Sequence, residues 1–148
     1  MAALELTSTA FDDGRGIPEK YSCDGESVSP PLAWSTPPEG TRSLALIVHD
    51  PDAPSGDFTH WLAWNIDPQS RGLDEGAPAP AEGANGRGQN RWQGPCPPPG
   101  NPPHHYVFTL TALSRPLGLG AGATAPQVKV AMSGLIVGQA VLIGRFGR

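Results

Sequence analysis

The chain has 148 residues, with 10 basic and 14 acidic side chains and a formal net charge of −4. This balance, without any run of lysine or arginine, argues against nucleic acid as a partner. The hydrophobic share of 38% is enough for a core, and the 19 glycines and 18 prolines lie between apolar runs without a repeat. Length and composition therefore predict one domain over residues 1–148 and a loop-rich, mainly β protein.

Six segments carry the apolar patterns of β-strands. Two of them, SLALIV and HWLAWNI, are nearly continuous apolar runs, which is typical of strands covered on both faces. In chain order the predicted strands are Leu4–Thr7, Leu32–Trp34, Ser43–His49, His60–Ile66, His104–Leu113 and Val141–Phe146. No apolar segment is long enough to span a bilayer.

One helix is predicted near the end of the chain. Thr124 and Gln127 form a capping-box pattern, and Pro126 lies in the first turn. Gly138 is the expected stop. The apolar residues expected on one face of this helix are Val128, Met132, Leu135 and Ile136.

The N-terminus and the cysteines bear on the compartment. The first residues, MAALELTSTAFDD, lack the basic and apolar regions of a signal peptide, which predicts a cytoplasmic protein. Cys23 and Cys96 are far apart and lack the CxxC spacing of a zinc or redox site. We therefore expect two reduced thiols, as is usual in the cytosol. A disulfide requires the two Cα atoms to lie within about 7 Å, which the sequence leaves open.

A long loop precedes the strand that begins at His104. The segment Arg71–Pro103 is rich in proline and glycine and almost free of apolar residues. An interdomain linker there would leave two flanks too small for good cores, so we interpret it as an ordered functional loop. Its last part, QGPCPPPGNPP, is stiff because proline fixes φ. The pattern predicts a rigid site wall that leads into His104 and His105.

Polar side chains gather at the ends of the predicted buried strands. His49, Asp50 and Asp52 follow one strand, and His60 opens the next. Imidazoles, a phenol and backbone N–H groups donate to anions, and a carboxylate beside a histidine orients its ring. The rigid loop adds Gly94, Pro95, His104 and Tyr106. These groups offer donors to an anion, which makes an anion site one hypothesis for this end of the sheet.

Other interpretations of the same residues stay open. The DPDAP sequence forms a good turn without any function, and His49 and His105 fit strand-end and surface positions. Two histidines and a carboxylate suit a metal site, although no spacing requires one. A serine hydrolase lacks its G-x-S-x-G motif, and GANGRGQ lacks the lysine of a phosphate-binding P-loop.

Two long motifs carry a resemblance to a known family. DPDAPSGDFTHWLAWNI and GPCPPPGNPPHHYVFTLTAL closely resemble the phosphatidylethanolamine-binding protein family, in its bacterial Raf-kinase-inhibitor-like branch. The resemblance covers nearly the whole chain. It implies a PEBP-like fold, in which a large antiparallel β-sheet packs against a smaller sheet with a few short helices. It also implies a non-enzymatic pocket for phosphate-like anions such as the phosphoethanolamine headgroup.

The resemblance also assigns ligand-binding residues, without a metal or a cofactor. Three positions depart from the family pattern: His105 replaces the arginine of PHRY, Trp92 replaces a tyrosine and His49 replaces an aspartate. These changes alter the charge around the pocket. The implied ligand-binding residues are Asp50, Asp52, His60, Gly94, Pro95, His104 and Tyr106.

Two rival functions stay open, the first implied by the resemblance and the second by the two histidines and a carboxylate. One is a protein-interaction module that inhibits or scaffolds a kinase or a protease through loop surfaces such as 71–91. The other, weaker one is a metal-dependent enzyme. Homodimers are compatible with this branch, although no sequence feature marks an interface.

Overall fold

The computed structural model describes residues 3–148, and its strands form two antiparallel sheets. The elements in chain order are β1 (Leu6–Thr7), β2 (Leu32–Trp34), β3 (Ser43–Asp50), β4 (Phe58–Ile66), β5 (Gly72–Leu73), β6 (Ala81–Glu82), β7 (His104–Leu113), α1 (Ala125–Met132) and β8 (Ile136–Phe146). A short 3₁₀ helix at Glu19–Tyr21 lies between β1 and β2. The small sheet has the order β1–β2–β5, and the large sheet has the order β6–β4–β3–β7–β8.

Four strands follow their predicted bounds closely. β2 and β7 coincide with the prediction, and β3 and β4 are longer by one and two residues. β8 begins at Ile136, well before the predicted Val141. β5 and β6 were not predicted, because a two-residue strand is too short to show an alternating pattern.

The helix begins as predicted but ends earlier. The Thr124 side chain accepts from the Gln127 N–H, and the Gln127 side chain in turn accepts from the Thr124 N–H. The expected stop at Gly138 is wrong. Gly134 has a φ of +80°, in the left-handed region that glycine accommodates, and the chain turns there into β8. Leu135 and Ile136 therefore lie outside the helix.

The large sheet is covered on both faces, as its continuous apolar runs predicted. In β3, Leu44 and Leu46 face the small sheet, while Ala45 and Ile47 belong to a second cluster under α1. The result is three layers: small sheet, large sheet, and α1 with its loop. The central cluster includes side chains from both sheets, among them Leu6, Trp34, Val48, Trp61, Phe108, Leu110 and Leu142.

The strand order brings three strand ends to one edge of the large sheet. Asp50 at the end of β3 pairs with Phe58 at the start of β4, and His49 pairs with Val107 near the start of β7. Side chains that are far apart in sequence therefore meet at this edge. None of the helices within residues 3–148 has the length and apolar character needed to cross a membrane.

The cysteines correct an expectation. Cys23 and Cys96 form a disulfide with a Cα–Cα distance of 5.4 Å across 73 residues of sequence. The prediction of two reduced thiols is therefore wrong. Folding places the loop after the 3₁₀ helix beside the proline-rich loop, where the Cys23 N–H also donates to the Pro95 carbonyl at 3.0 Å. The sequence spacing of Cys23 and Cys96 gives no indication that the two residues lie close together in the fold.

Candidate functional site

A buried carboxylate–imidazole pair lies at the meeting point of β3 and β7. His104 Nδ1 lies 2.7 Å from Asp50 Oδ2, and each side chain is only 5% exposed. Because an ionised carboxylate can only accept, Nδ1 carries the proton of this bond. Asp50 is itself held, since its Oδ1 accepts from the Asp52 N–H at 2.8 Å. The pair therefore fixes the ring orientation and leaves Nε2 of His104 for another partner.

His60 lies beside this pair with the opposite hydrogen-bonding character. Its Nδ1 donates to the Gln93 carbonyl at 2.6 Å, because a carbonyl only accepts. Burial lowers the pKa of His60, while the Gln93 carbonyl and the Asp50 charge partly oppose this effect. The ring is therefore neutral at neutral pH, and its Nε2 is an acceptor.

Tyr106 completes an aromatic enclosure around His60. Its ring meets His60 edge-on with centroids 5.1 Å apart, and Phe58 covers the imidazole with a centroid distance of 4.9 Å. Burial, followed by the charges of Asp50 and Asp52, raises the pKa of Tyr106 above its ordinary value. The phenol therefore keeps its proton and can donate.

The proline-rich loop forms the opposite wall through close backbone contact. A Cβ added to Gly94 would lie 2.6 Å from Ser27 Oγ and 2.7 Å from the Tyr21 carbonyl oxygen, so only glycine fits. The disulfide and the hydrogen bond between the Cys23 N–H and the Pro95 carbonyl tie this wall to the loop after the 3₁₀ helix. The predicted rigid wall is thus held by covalent and hydrogen-bonded ties as well as by prolines.

These groups enclose a cavity of about 150 Å³. Five of the seven predicted residues line it: Asp50, His60, Gly94, His104 and Tyr106. Asp52 and Pro95 do not. Asp52 binds His105, and Pro95 is buried behind the wall with its carbonyl bound to the Cys23 N–H. The structure therefore brings together residues from three strand ends and one loop, and leaves Pro95 behind the wall and Asp52 at the surface.

The cavity lining includes residues that the sequence did not single out. Arg87 is the most consequential, because it brings a permanent positive charge to the cavity. It lies in the turn GANGRGQ, whose sequence resembles a nucleotide-binding loop only in its glycines. Its position in a loop predicted to be functional was the available signal, although Arg71 and Arg91 lie in the same loop. The other additional lining residues include Ser55, Phe58, Gln93, Pro97 and Pro98.

The family departures at His49 and His105 lie outside the cavity lining. His105 Nδ1 and backbone N–H both lie 2.8 Å from Asp52 Oδ2, and these bonds lower the pKa of Asp52. His49 Nδ1 lies 2.7 Å from Asp57 Oδ1. Each of these two histidines therefore has a nearby carboxylate as its hydrogen-bond partner.

The third departure, Trp92, lies in the core behind the proline-rich wall. Its indole N–H donates to the Tyr21 carbonyl at 3.2 Å. Its ring lies edge-on to Trp61, with centroids 5.9 Å apart. Trp92 therefore helps to anchor the wall to the sheet.

The part of the chain that the structure describes contains no cluster of potential metal ligands. Within residues 3–148, no group of three or more histidine, cysteine, aspartate or glutamate side chains is placed to hold a metal ion. Asp50 already binds His104, His60 Nδ1 binds a carbonyl, and both cysteines are in the disulfide.

Comparison with known proteins gives one family model and several similar chains. The family model described as "Phosphatidylethanolamine-binding protein" matches residues 7–147. A UPF0098 protein of Methanothermobacter thermautotrophicus is 45% identical over 152 residues, covering 98% of this chain and 99% of the relative. A Mycobacterium tuberculosis relative with the provisional name lipoprotein LppC is 44% identical, covering 97% of this chain and 72% of the relative.

Solved structures agree with the architecture. A phosphatidylethanolamine-binding protein homologue from Chlamydia trachomatis superposes with a TM-score of 0.95 at 40% identity, covering 100% of this chain and 99% of that chain. YbcL of Escherichia coli, described as a new member of the mammalian PEBP family, superposes with a TM-score of 0.92 at 28% identity, covering 99% of each chain. These neighbours confirm the predicted fold of a large antiparallel sheet packed on a smaller one.

Proposed function

The chain belongs to the phosphatidylethanolamine-binding protein family, and on this premise we propose that it binds small phosphate-like anions in the cavity between His60 and His104. The observation that carries the proposal is the buried Asp50–His104 pair, which presents an oriented imidazole to a small preformed cavity. A site that exists before its ligand arrives avoids the ordering cost of binding.

The hydrogen-bonding groups suit a ligand with both acceptors and donors. The Tyr106 hydroxyl donates to a phosphate oxygen, and the doubly protonated His104 ring does so through Nε2. His60 Nε2 accepts from a ligand N–H or O–H. Phosphoethanolamine offers both kinds of group, because it combines a phosphate with an ammonium.

We propose binding without chemical conversion. The Asp50–His104 pair resembles the base and its orienting carboxylate in serine hydrolases. Ser55 lines the same cavity, yet within residues 3–148 the rings of His60 and His104 hydrogen-bond only to Gln93 and Asp50. A general base needs its nucleophile within hydrogen-bond reach, so this arrangement favours a binding site.

The compartment and the protein partners are separate proposals. A cytoplasmic location stays a prediction, and the Cys23–Cys96 disulfide favours an oxidising compartment instead. Alkylation of thiols in fractionated cells decides between the two. A homodimer and a role in inhibiting or scaffolding a kinase or protease also stay predictions, which affinity capture with pocket variants tests.

Isothermal titration with phosphoethanolamine and with inorganic phosphate tests the binding proposal. We expect saturable binding that His104→Ala and Tyr106→Phe weaken at least tenfold, because each removes a hydrogen bond to a charged ligand. His49→Ala is the matched control, since its ring binds Asp57 outside the cavity and its loss should leave affinity unchanged. Equal affinity in the parent and in His104→Ala would show that the cavity is not the binding site.

A further inference from the structure

We propose that Arg87 makes this cavity selective for terminal phosphates, meaning phosphate monoesters and free phosphate, over phosphodiesters. The inference rests on the proposed anion-binding function and names the ligand class of the same site. A terminal phosphate carries up to two negative charges and three free oxygens, whereas a diester carries one charge and two free oxygens. The guanidinium fork binds two oxygens of one phosphate at once, and its permanent positive charge favours the terminal group, which carries the second negative charge.

The charges around the cavity make Arg87 necessary for a doubly charged ligand. Among the described lining residues, Arg87 is the sole arginine or lysine. The Asp50–His104 pair contributes a net charge of −1 when the ring is neutral and zero when it is doubly protonated. Burial keeps His60 neutral at neutral pH. A buried dianion therefore has no permanent positive counterpart in the lining except Arg87.

The turn that carries Arg87 is built to hold it at the cavity. The Asn85 side chain is buried, and its Oδ1 accepts from the backbone N–H groups of Arg87 at 2.9 Å and Gln89 at 3.1 Å. The Gly86 N–H donates to the Thr59 carbonyl at 2.8 Å. A Cβ at Gly86 would overlap the ring of Phe58, which packs on His60. The backbone of Arg87 is thus fixed beside Phe58, whose ring covers the imidazole of His60.

The side chain of Arg87 remains available for a ligand. Its guanidinium forms no ion pair with any carboxylate within residues 3–148. Two nearby arginines are engaged elsewhere: Arg148 binds Asp24 at 3.1 Å and the Pro97 carbonyl at 2.8 Å, and Arg91 binds the Gln89 side chain at 3.0 Å. Arg87 therefore combines a fixed backbone with an uncommitted charge at the cavity.

The test compares two ligands that share the ethanolamine phosphate and differ by a glycerol esterified to that phosphate. Phosphoethanolamine is a monoester, and glycerophosphoethanolamine is the diester found in the intact lipid headgroup. We expect the parent to bind the monoester at least tenfold more tightly by titration calorimetry at pH 7.5 and fixed ionic strength. Arg87→Gln should reduce this ratio to about twofold by weakening the monoester, and Arg87→Lys should keep part of it, since the charge remains without the fork.

Arg91→Gln is the matched control, because it removes the same charge from a side chain outside this cavity and should leave the ratio unchanged. NMR signals of the buried histidines confirm that each variant is folded. An unchanged ratio in Arg87→Gln, with binding still lost in His104→Ala, would overturn the role of Arg87 and leave the anion site standing. Binding of neither ligand by the parent would overturn both proposals.

Discussion

Two carboxylate–imidazole pairs lie side by side in this protein and differ almost entirely in burial. Asp50 and His104 are 2.7 Å apart with side chains 5% exposed, whereas Asp52 and His105 are 2.8 Å apart with side chains 42% and 50% exposed. The aspartates come from one turn, and the histidines are adjacent in β7. Alternation along the strand sends His104 to the cavity and His105 to solvent.

The difference teaches that residue type does not define this site. Water screens the Asp52–His105 pair, so its contribution to stability is small. The Asp50–His104 pair is removed from water, so its loss leaves an uncompensated group inside the protein. The cavity beside it is closed by a wall that the disulfide and Gly94 hold in place.

Removal of the Cys23–Cys96 disulfide, which holds the wall beside the buried Asp50–His104 pair, should produce the largest loss of stability. Chain entropy for a loop of this length predicts that Cys23→Ser with Cys96→Ser lowers the free energy of unfolding by about 4 kcal/mol. Denaturant unfolding measures the loss. Cys96 lines the cavity, so phosphate affinity and the NMR signal of His104 should change while the signal of His105 stays in place. Stability within about 1 kcal/mol of the parent would contradict this role of the disulfide.

Breaking the two pairs separately should give unequal losses of stability. Asp50→Ala should cost about 3 kcal/mol, because it strands a buried imidazole. Asp52→Ala should cost less than about 1 kcal/mol, because solvent screens the exposed pair. Urea unfolding of both variants at pH 7 provides the measurement. Equal losses of unfolding free energy in the two variants would contradict the proposed difference between the buried and the exposed pair.

Gly94→Ala tests the wall that encloses the buried pair. The added methyl group meets backbone and side-chain atoms of Tyr21, Ser22 and Ser27, so we expect a loss of about 2 kcal/mol and weaker phosphate binding. Gly120→Ala is the matched control, since a Cβ there meets no atom within 4 Å. Thermal unfolding and calorimetric titration report the two effects. A Gly94→Ala variant as stable as the control would show that the proline-rich wall accommodates the added methyl group without loss of stability.

The smallest expected effect concerns pH. His60 faces Asp50, His49 and His104, and burial lowers its pKa below the ordinary value of 6.5. A bound anion favours the charged ring and so raises the pKa of His60, which means that binding takes up protons. Affinity for sulfate, whose charge is constant near neutral pH, should therefore rise a few-fold as pH falls from about 8 to about 6.

Calorimetry in buffers of different ionisation enthalpy measures this proton uptake directly. Arg87 also lines the cavity, but its charge is constant over this pH range. It therefore adds no pH dependence to the affinity for sulfate. His60→Gln should reduce the uptake, because it removes an imidazole of the cavity that can take up a proton. Proton release on binding would contradict the assigned state of His60.

Much of the fold could be predicted, because its signals are local. The alternation in β7 and the Thr124 capping box need only neighbouring residues, and both are present. The helix end was wrong because apolar spacing continues past Gly134 into β8, and the backbone turn there outweighs the pattern. The short strands β5 and β6 depend on pairing with distant partners, which no local pattern reports.

The site could be predicted in part, for a related reason. Motifs named the residues at the strand ends, and five of the seven line the cavity. Motifs do not separate a lining residue from one that supports it, which is why Pro95 and Asp52 were included. Arg87 and the Cys23–Cys96 bond depend on how long loops fold back on the sheet.

The most direct test of the central claim follows the four histidine rings by NMR while inorganic phosphate is added. Binding between His60 and His104 predicts saturable shifts of the Nε2 and ring-proton signals of these two residues. The rings of His49 and His105, which bind exposed carboxylates, should stay unchanged. Shifts confined to the exposed rings, or no shift in any ring at saturating phosphate, would contradict the account.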